Sequence, residues 1–86
     1  MSKREKRLLK IRQNPTNVSF DDAKQLLLDY GFEFKRSEGS HQFFKYNKYG
    51  LKIYINIPFR RPIKEVYVKD AIKAIDRIIA EEKNHE

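Results

Sequence analysis

The chain has 86 residues, 40% of them hydrophobic, with 19 Lys and Arg against 12 Asp and Glu, for a net charge of +7. This length suits one small domain held together by an apolar core. The lack of cysteine excludes disulfides and thiolate zinc sites, and two histidines argue against a metal cage. No apolar run approaches the ~20 residues of a membrane helix, and no signal peptide follows the basic start. We therefore expect a soluble cytoplasmic protein that needs no metal or other cofactor.

Positive charge is clustered in two segments. Residues 1–12 hold six basic residues and one acidic residue, and residues 32–64 hold eight basic and two acidic residues, whereas 13–31 and 65–86 each sum to −2. Clustered positive charge favours a polyanion such as nucleic acid, or an acidic protein, as the partner. A surface that is merely solvated is the alternative.

The first two predicted elements are helical. Residues 1–15 are predicted to form a basic N-terminal arm, helical or partly disordered, that ends at Asn14-Pro15. Ser19 and Asp22 have the spacing of a capping box, and apolar residues then recur at helical spacing. Gly31 stands where a left-handed residue would end this second helix.

Three short segments with a period of two follow. They read "FEFKR", "HQFFKY" and "LKIYINI", separated by turns at 38–40 and 47–50, and they predict an antiparallel meander. In the third strand, Lys52, Tyr54 and Asn56 alternate with apolar residues that face the core. An apolar stripe from Val68 to Ile79 predicts a final helix, and residues 82–86 are expected to fray.

These elements predict an α+β domain over residues 16–81, with two helices on one face of the sheet and the other face open. Lys35 and Arg36 are adjacent, so they are expected on opposite faces of the first strand. For the same reason only one of Phe43 and Phe44 should enter the core. If Phe43 shares the open face with His41 and Tyr54, it can stack on a base. Core or turn packing is the alternative for each aromatic.

The order of motifs is similar to that of a known family. "SFDDAKQLLLDYGFEFKRSEGSHQFFKY", followed by "INIPFRRPIKEVYVKDAIKAI", resembles the HicA toxins, the ribonuclease partners in HicA–HicB toxin–antitoxin pairs. The resemblance runs from about Asn17 to Ile79. It implies a double-stranded-RNA-binding-domain-like fold, cleavage of mRNA, neutralisation by a HicB-type antitoxin, and His41 of "GSH" as the catalytic residue. Many members have a second histidine where this chain has Gln42, and the minimal family pattern lacks the basic arm.

The residues around His41 fit such chemistry. RNA supplies its own nucleophile, the 2′-hydroxyl, so the protein needs a group that exchanges protons near neutral pH, which histidine does. Gly39 would let a phosphate approach the backbone, and Ser40 would donate a hydrogen bond to it. The basic residues expected to hold the RNA strand are Lys45, Arg60, Arg61 and Lys64.

Other interpretations of the same residues stay open. A lone histidine beside a Gly-Ser turn is more often structural than catalytic. The chain would then be a non-catalytic RNA-binding domain, in which binding depends on Lys and Arg but not on His41. It would alternatively be a protein-interaction module whose basic arm docks an acidic partner. A HicB-type antitoxin would cover His41 or the basic groove around it.

Overall fold

The computed structural model describes residues 1–85. The elements are α1 (Lys3–Gln13), α2 (Phe20–Asp29), β1 (Glu33–Glu38), β2 (His41–Lys48), β3 (Leu51–Pro58) and α3 (Glu65–Asn84). The strands form one antiparallel sheet in the order β1-β2-β3. The α+β class, the antiparallel meander and the helices on either side of it in the chain are therefore confirmed.

Two-residue turns set the register of the sheet. Gly39, the first residue of the β1–β2 turn, has a φ of +59°, and Tyr49 and Gly50 of the β2–β3 turn have φ of +54° and +72°. The β2–β3 turn, with positive φ at both central residues, has the pattern of a type I′ turn, whose twist matches that of the flanking strands. The first turn pairs Glu38 with His41 and the second pairs Lys48 with Leu51, and these pairings set which face each side chain takes.

One face of the sheet is covered by helices. Its buried side chains belong to a single core cluster with α2 and α3, including Leu27, Phe44, Tyr46, Ile53, Ile57, Ile75 and Ile78. Phe44 is buried, whereas its neighbour Phe43 is only partly so and lies on the other face. The predicted alternation of β3 is also confirmed, since Lys52, Tyr54 and Asn56 are exposed.

The two ends of α2 are built largely as predicted. Ser19 Oγ accepts a hydrogen bond from the Asp22 amide at 3.1 Å. The return bond of a capping box is not formed, because aspartate is shorter than the glutamate or glutamine that usually completes it, and Asp22 instead pairs with Lys10. Gly31 ends the helix with a φ of +99°, and a Cβ there would lie 3.2 Å from the Tyr46 ring.

The basic N-terminal segment forms helix α1, which packs on the rest of the domain. Leu8 and Ile11, three residues apart and therefore on one face of the helix, are buried in the core. A complete capping box between Ser2 and Glu5 starts the helix. Its basic residues pair with acidic residues of α2 and α3, as Arg4–Glu82, Arg7–Asp29, Lys10–Asp22 and Arg12–Asp76. Folding therefore neutralises much of the N-terminal charge.

Helix α3 is longer than the apolar stripe predicts. It begins at Glu65, three residues before the stripe, and it continues to Asn84. Beyond it, the His85 ring stacks on Tyr49 with centroids 4.5 Å apart, so His85 has a contact that the sequence did not predict. Among the described residues, none of the helices combines the length and apolarity that a membrane crossing requires.

Candidate nucleic-acid interface

The side of the sheet away from the helices, here called the open face, carries polar and aromatic side chains. Cross-strand pairing places on it Glu33, Arg36, Glu38, His41, Phe43, Lys45, Lys52, Tyr54 and Asn56. Tyr54 is 69% exposed although it is a large aromatic residue. A flat face that combines exposed aromatic rings with cations is typical of surfaces that bind single-stranded nucleic acid.

A β-bulge at Lys35 changes the face of β1. Phe34 pairs with Phe44 and Arg36 with Phe43, so Lys35 has no cross-strand partner. Lys35 Nζ lies 3.0 Å from Glu33 Oε2, and both Lys35 and Arg36 line the same pocket on the open face. The prediction that these two cations point to opposite faces was wrong, because the extra residue interrupts the alternation. The hydrogen bond from Lys35 lowers the pKa of Glu33.

His41 is the first residue of β2 and is exposed on the open face. Its Nδ1 lies 3.1 Å from Asn56 Oδ1 on the neighbouring strand. An amide oxygen only accepts hydrogen bonds, so this contact favours the imidazole tautomer with its proton on Nδ1. The other ring nitrogen, Nε2, has no hydrogen-bond partner within residues 1–85. A neutral imidazole held in this way presents its lone pair to solvent as a base.

An acidic side chain neighbours His41 across the first turn. Glu38 is the cross-strand partner of His41, a position where Cβ atoms lie about 4.5–5.5 Å apart. Its Oε1 accepts a hydrogen bond from Arg36 Nε at 2.8 Å. The guanidinium of Arg36 in turn lies 4.4 Å from the centroid of the Phe43 ring. Arg36 therefore links the carboxylate beside His41 to the aromatic part of the open face.

A shallow pocket of about 310 Å³ lies beside His41 on the open face. Its lining includes Lys35, Arg36, Phe43, Lys45, Tyr54 and Asn56. Lys45 Nζ lies 5.6 Å from the centroid of the Tyr54 ring, and the His41 and Phe43 rings are 6.5 Å apart. The pocket is thus bounded by two aromatic rings, each with a cation above it.

Gly39 and Ser40 lie next to His41, as the sequence predicts. A Cβ built on Gly39 would meet no atom within 4 Å, so the space in front of this residue is open to a ligand. The amide of Phe59 donates a hydrogen bond to the Ser40 carbonyl at 2.6 Å, which holds the end of β3 beside this turn.

The predicted basic residues are more spread out. Lys45 is on the same face as His41 but four residues along β2, about 13 Å away at ~3.3 Å per residue. Arg60 is exposed and follows Phe59 in the loop, whereas Arg61 lines a different groove with Phe20 and Phe59, on the helical side. Lys64 is the N-cap of α3 and makes no side-chain capping bond. The structure therefore groups Gly39, Ser40 and His41, but not Arg61, at one place.

Six cations of the sheet and of the segment between β3 and α3 are unpaired within residues 1–85. Lys45, Lys48, Lys52, Arg60, Arg61 and Lys64 form no ion pair with another described residue. Four of the six basic residues of α1 are neutralised by ion pairs, as described above. Of the two positively charged segments of the sequence, residues 32–64 therefore carry most of the charge that ion pairs leave free to attract a polyanion.

Asn56, Arg36 and Glu38 are site residues that sequence reasoning did not select. The sequence predicts Asn56 on the open face, but nothing in it marks the amide as the partner of His41. Glu38 lies in the predicted turn, and it becomes the partner of His41 only because that turn has two residues. Arg36 was missed because no feature of the sequence signals the bulge.

Comparison with known proteins finds no match among family models, curated protein sequences or solved structures. In the described part of the chain, no three His, Cys, Asp or Glu side chains come together in a way that could hold a metal ion. The functional interpretation therefore depends on the geometry of the open face.

Proposed function

We propose that the chain is an endoribonuclease toxin of the HicA type that cleaves mRNA in the cytoplasm without a metal ion. On this proposal the α2–β1–β2–β3–α3 unit is a double-stranded-RNA-binding-domain-like fold, to which α1 is added. The observation that supports it best is the contact between His41 Nδ1 and Asn56 Oδ1 at 3.1 Å. This contact orients an exposed imidazole on a face where cations are available to phosphates.

The reaction is an internal transesterification. His41 Nε2 takes the proton of a 2′-hydroxyl, whose oxygen attacks the adjacent phosphorus, and the bond to the 5′-oxygen of the next nucleotide breaks. The imidazolium formed in the first step returns its proton to that leaving oxygen. The products are a 2′,3′-cyclic phosphate and a 5′-hydroxyl, and no water or metal is consumed. General acid–base help of this kind contributes about 10²–10⁴-fold.

Neighbouring groups support the step by charge and access. Negative charge grows on the phosphate oxygens as the nucleophile attacks, and preorganised cations stabilise it. Arg36 is close enough to the His41 site for this role, because it bonds the cross-strand partner of His41. Lys45, about 13 Å along the strand, suits a more distant phosphate. Gly39 leaves the space through which a phosphate reaches the turn.

The partner expected to silence this activity is an acidic, HicB-type antitoxin. Six unpaired cations of the described chain lie on the sheet and on the segment between β3 and α3, so an acidic protein would be attracted to the surface that RNA needs. Such a complex would cover His41, and its formation would stop cleavage.

Cleavage of single-stranded RNA in EDTA tests the proposal. Wild-type protein should cut, His41→Ala should lose at least about 100-fold in rate, and His85→Ala should cut normally. His85 is the matched control because it stacks on Tyr49, at the other end of β2. The products should carry a 2′,3′-cyclic phosphate and a 5′-hydroxyl. Equal cleavage by His41→Ala would overturn the assignment of this residue.

A non-catalytic RNA-binding domain is the second candidate. The partner of His41 is a neutral amide rather than a carboxylate, and the open face holds no other histidine within the described residues. Both facts are compatible with a face that only binds. RNA bound equally by wild type and His41→Ala, with no cleavage by either, would support this candidate. Absence of RNA binding would instead support a protein-interaction module.

A further inference from the structure

We propose that the pocket between Phe43 and Tyr54 binds one unpaired base of single-stranded RNA, beside the nucleotide at His41. The inference deepens the proposed function, on which its link to cleavage rests, but base binding is measurable without cleavage. It names the substrate class as single-stranded RNA, although the resemblance implies a fold typical of duplex binding. The pocket has a volume of about 310 Å³, at the lower end of the range for small-ligand sites, ~300–1,000 Å³.

The two aromatic rings of the open face lie outside the core. Phe44, Tyr46 and Ile53 fill the core on the other side of the same strands, whereas Tyr54 is 69% exposed. Phe43 pairs with Asn56 and Lys45 with Tyr54, so Phe43 and Tyr54 are diagonal neighbours across β2 and β3. Diagonal neighbours are about 7–8 Å apart, close enough for one planar base to contact both rings. Stacking on aromatic rings is how sheets hold unpaired bases.

Cations lie over both rings of the pocket, so a base that stacks there displaces them towards its flanking phosphates. Arg36 lies over Phe43 at 4.4 Å and Lys45 over Tyr54 at 5.6 Å. Asn56 directs its Oδ1 to His41, which leaves its amide NH₂ group to donate to a base edge. A ligand with a planar ring and a phosphate on either side matches this arrangement, and a nucleotide within an RNA strand has both.

The geometry excludes a base that remains paired. In a duplex the faces of each base are covered by its neighbours, and only phosphates, sugars and groove edges reach a protein. A stack on Phe43 or Tyr54 therefore requires an unpaired base. The rings of Phe43 and His41 are 6.5 Å apart, so a base stacked in the pocket lies within one nucleotide of the reacting 2′-hydroxyl.

Equilibrium binding to the His41→Ala protein tests the pocket without cleavage. Fluorescence anisotropy would compare a short single-stranded RNA with the same strand in a duplex, and the duplex should bind at least about tenfold more weakly. Tyr54→Ala and Phe43→Leu should each weaken single-strand binding by roughly 5- to 100-fold. Tyr54→Phe should bind normally because it keeps the ring. Leu9→Ala, on α1, is the control for loss of an exposed apolar side chain.

A base analogue gives a second readout. A 2-aminopurine in the strand should be quenched by stacking when the wild-type ring is present, and less so with Tyr54→Ala. Equal affinity for duplex and single strand, or unchanged affinity of Tyr54→Ala, would overturn the pocket. If Tyr54→Ala weakens binding while wild type fails to cleave, the pocket stands and the nuclease proposal fails. If wild type cleaves but Tyr54→Ala binds normally, the nuclease proposal stands and the pocket proposal fails.

Discussion

Asn56 Oδ1 and His41 Nδ1 are 3.1 Å apart although the two residues are not direct cross-strand partners. His41 pairs with Pro58, and Asn56 pairs with Phe43, so the contact runs diagonally from β3 to β2. The proline at the direct partner position offers no side-chain hydrogen bond to the imidazole. The ring orientation of His41 therefore depends on Asn56, which acts on the cleavage step as a positioning residue.

Replacing Asn56 should change cleavage in two distinguishable ways. Asn56→Ala removes one hydrogen bond, worth about 0.5–1.5 kcal/mol, and should lower kcat by roughly 2- to 12-fold. Asn56→Asp places a carboxylate against Nδ1–H and favours the imidazolium, so the acidic limb of the pH–rate profile should move to higher pH. Asn47→Ala, an asparagine at the far end of β2, is the matched control. An unchanged profile for Asn56→Asp would refute the positioning role.

The buried face of α1 should contribute to the stability of the whole domain. Ile11 is 3% exposed, and Ile11→Ala should lower the free energy of unfolding by roughly 2–5 kcal/mol. Leu9→Ala, at a side chain 43% exposed, should lower it far less. Urea denaturation followed by circular dichroism measures both. Equal, small effects would mean that α1 does not contribute to the stability of the core.

Two carboxylates on the open face restrain cations that RNA could use. Glu33→Gln should release Lys35 and Glu38→Gln should release Arg36, and each should strengthen RNA binding in low salt. The slope of log affinity against log salt should steepen by about 0.7–0.9 for each released cation. Glu38→Gln should change the cleavage rate more than Glu33→Gln does, because only Glu38 neighbours His41. Weaker binding by both variants would show that the ion pairs themselves are part of the binding surface.

Two buried tyrosines should make the fold sensitive to alkali. Burial raises the pKa of Tyr30 and of Tyr46. Since the folded pKa exceeds the unfolded value of ~10, their contribution is complete below pH ~10 and is lost as pH rises through the folded pKa. The double variant Tyr30→Phe, Tyr46→Phe should therefore lose less free energy of unfolding than wild type between about pH 9 and about pH 11, the range that brackets this reference pKa. Tyr54→Phe, at an exposed ring, should behave as wild type in urea denaturation.

Elements with a strong local pattern could be predicted from the sequence. Ser19 and Gly31 mark the ends of α2 by backbone chemistry that depends only on their neighbours. The alternation of β3 identifies its core face because each side chain is either apolar or polar in turn. These features are local, so a single sequence is enough to predict them.

Features that depend on distant partners could not be predicted. The packing of α1 needs Glu82 and Asp76 of α3, more than sixty residues away in the chain. The bulge at Lys35 has no residue signature, because lysine and arginine both occur readily in extended strands. The partner of His41 could be found only by combining turn length, register and side-chain reach. His41 is therefore a candidate by residue type alone, whereas the contact of Asn56 with it emerges only from the structure.

The ion pairs of α1 have a consequence for the rate at which the protein meets a polyanion. They neutralise cations on the helical side, while those of β2, β3 and the following loop stay unpaired within the described residues. The molecule therefore has an electrostatic moment that points through the sheet. The electric field of the protein orients a charged partner as it approaches, so productive encounters are more frequent than in random collision. Salt would slow this encounter before it loosened the bound state.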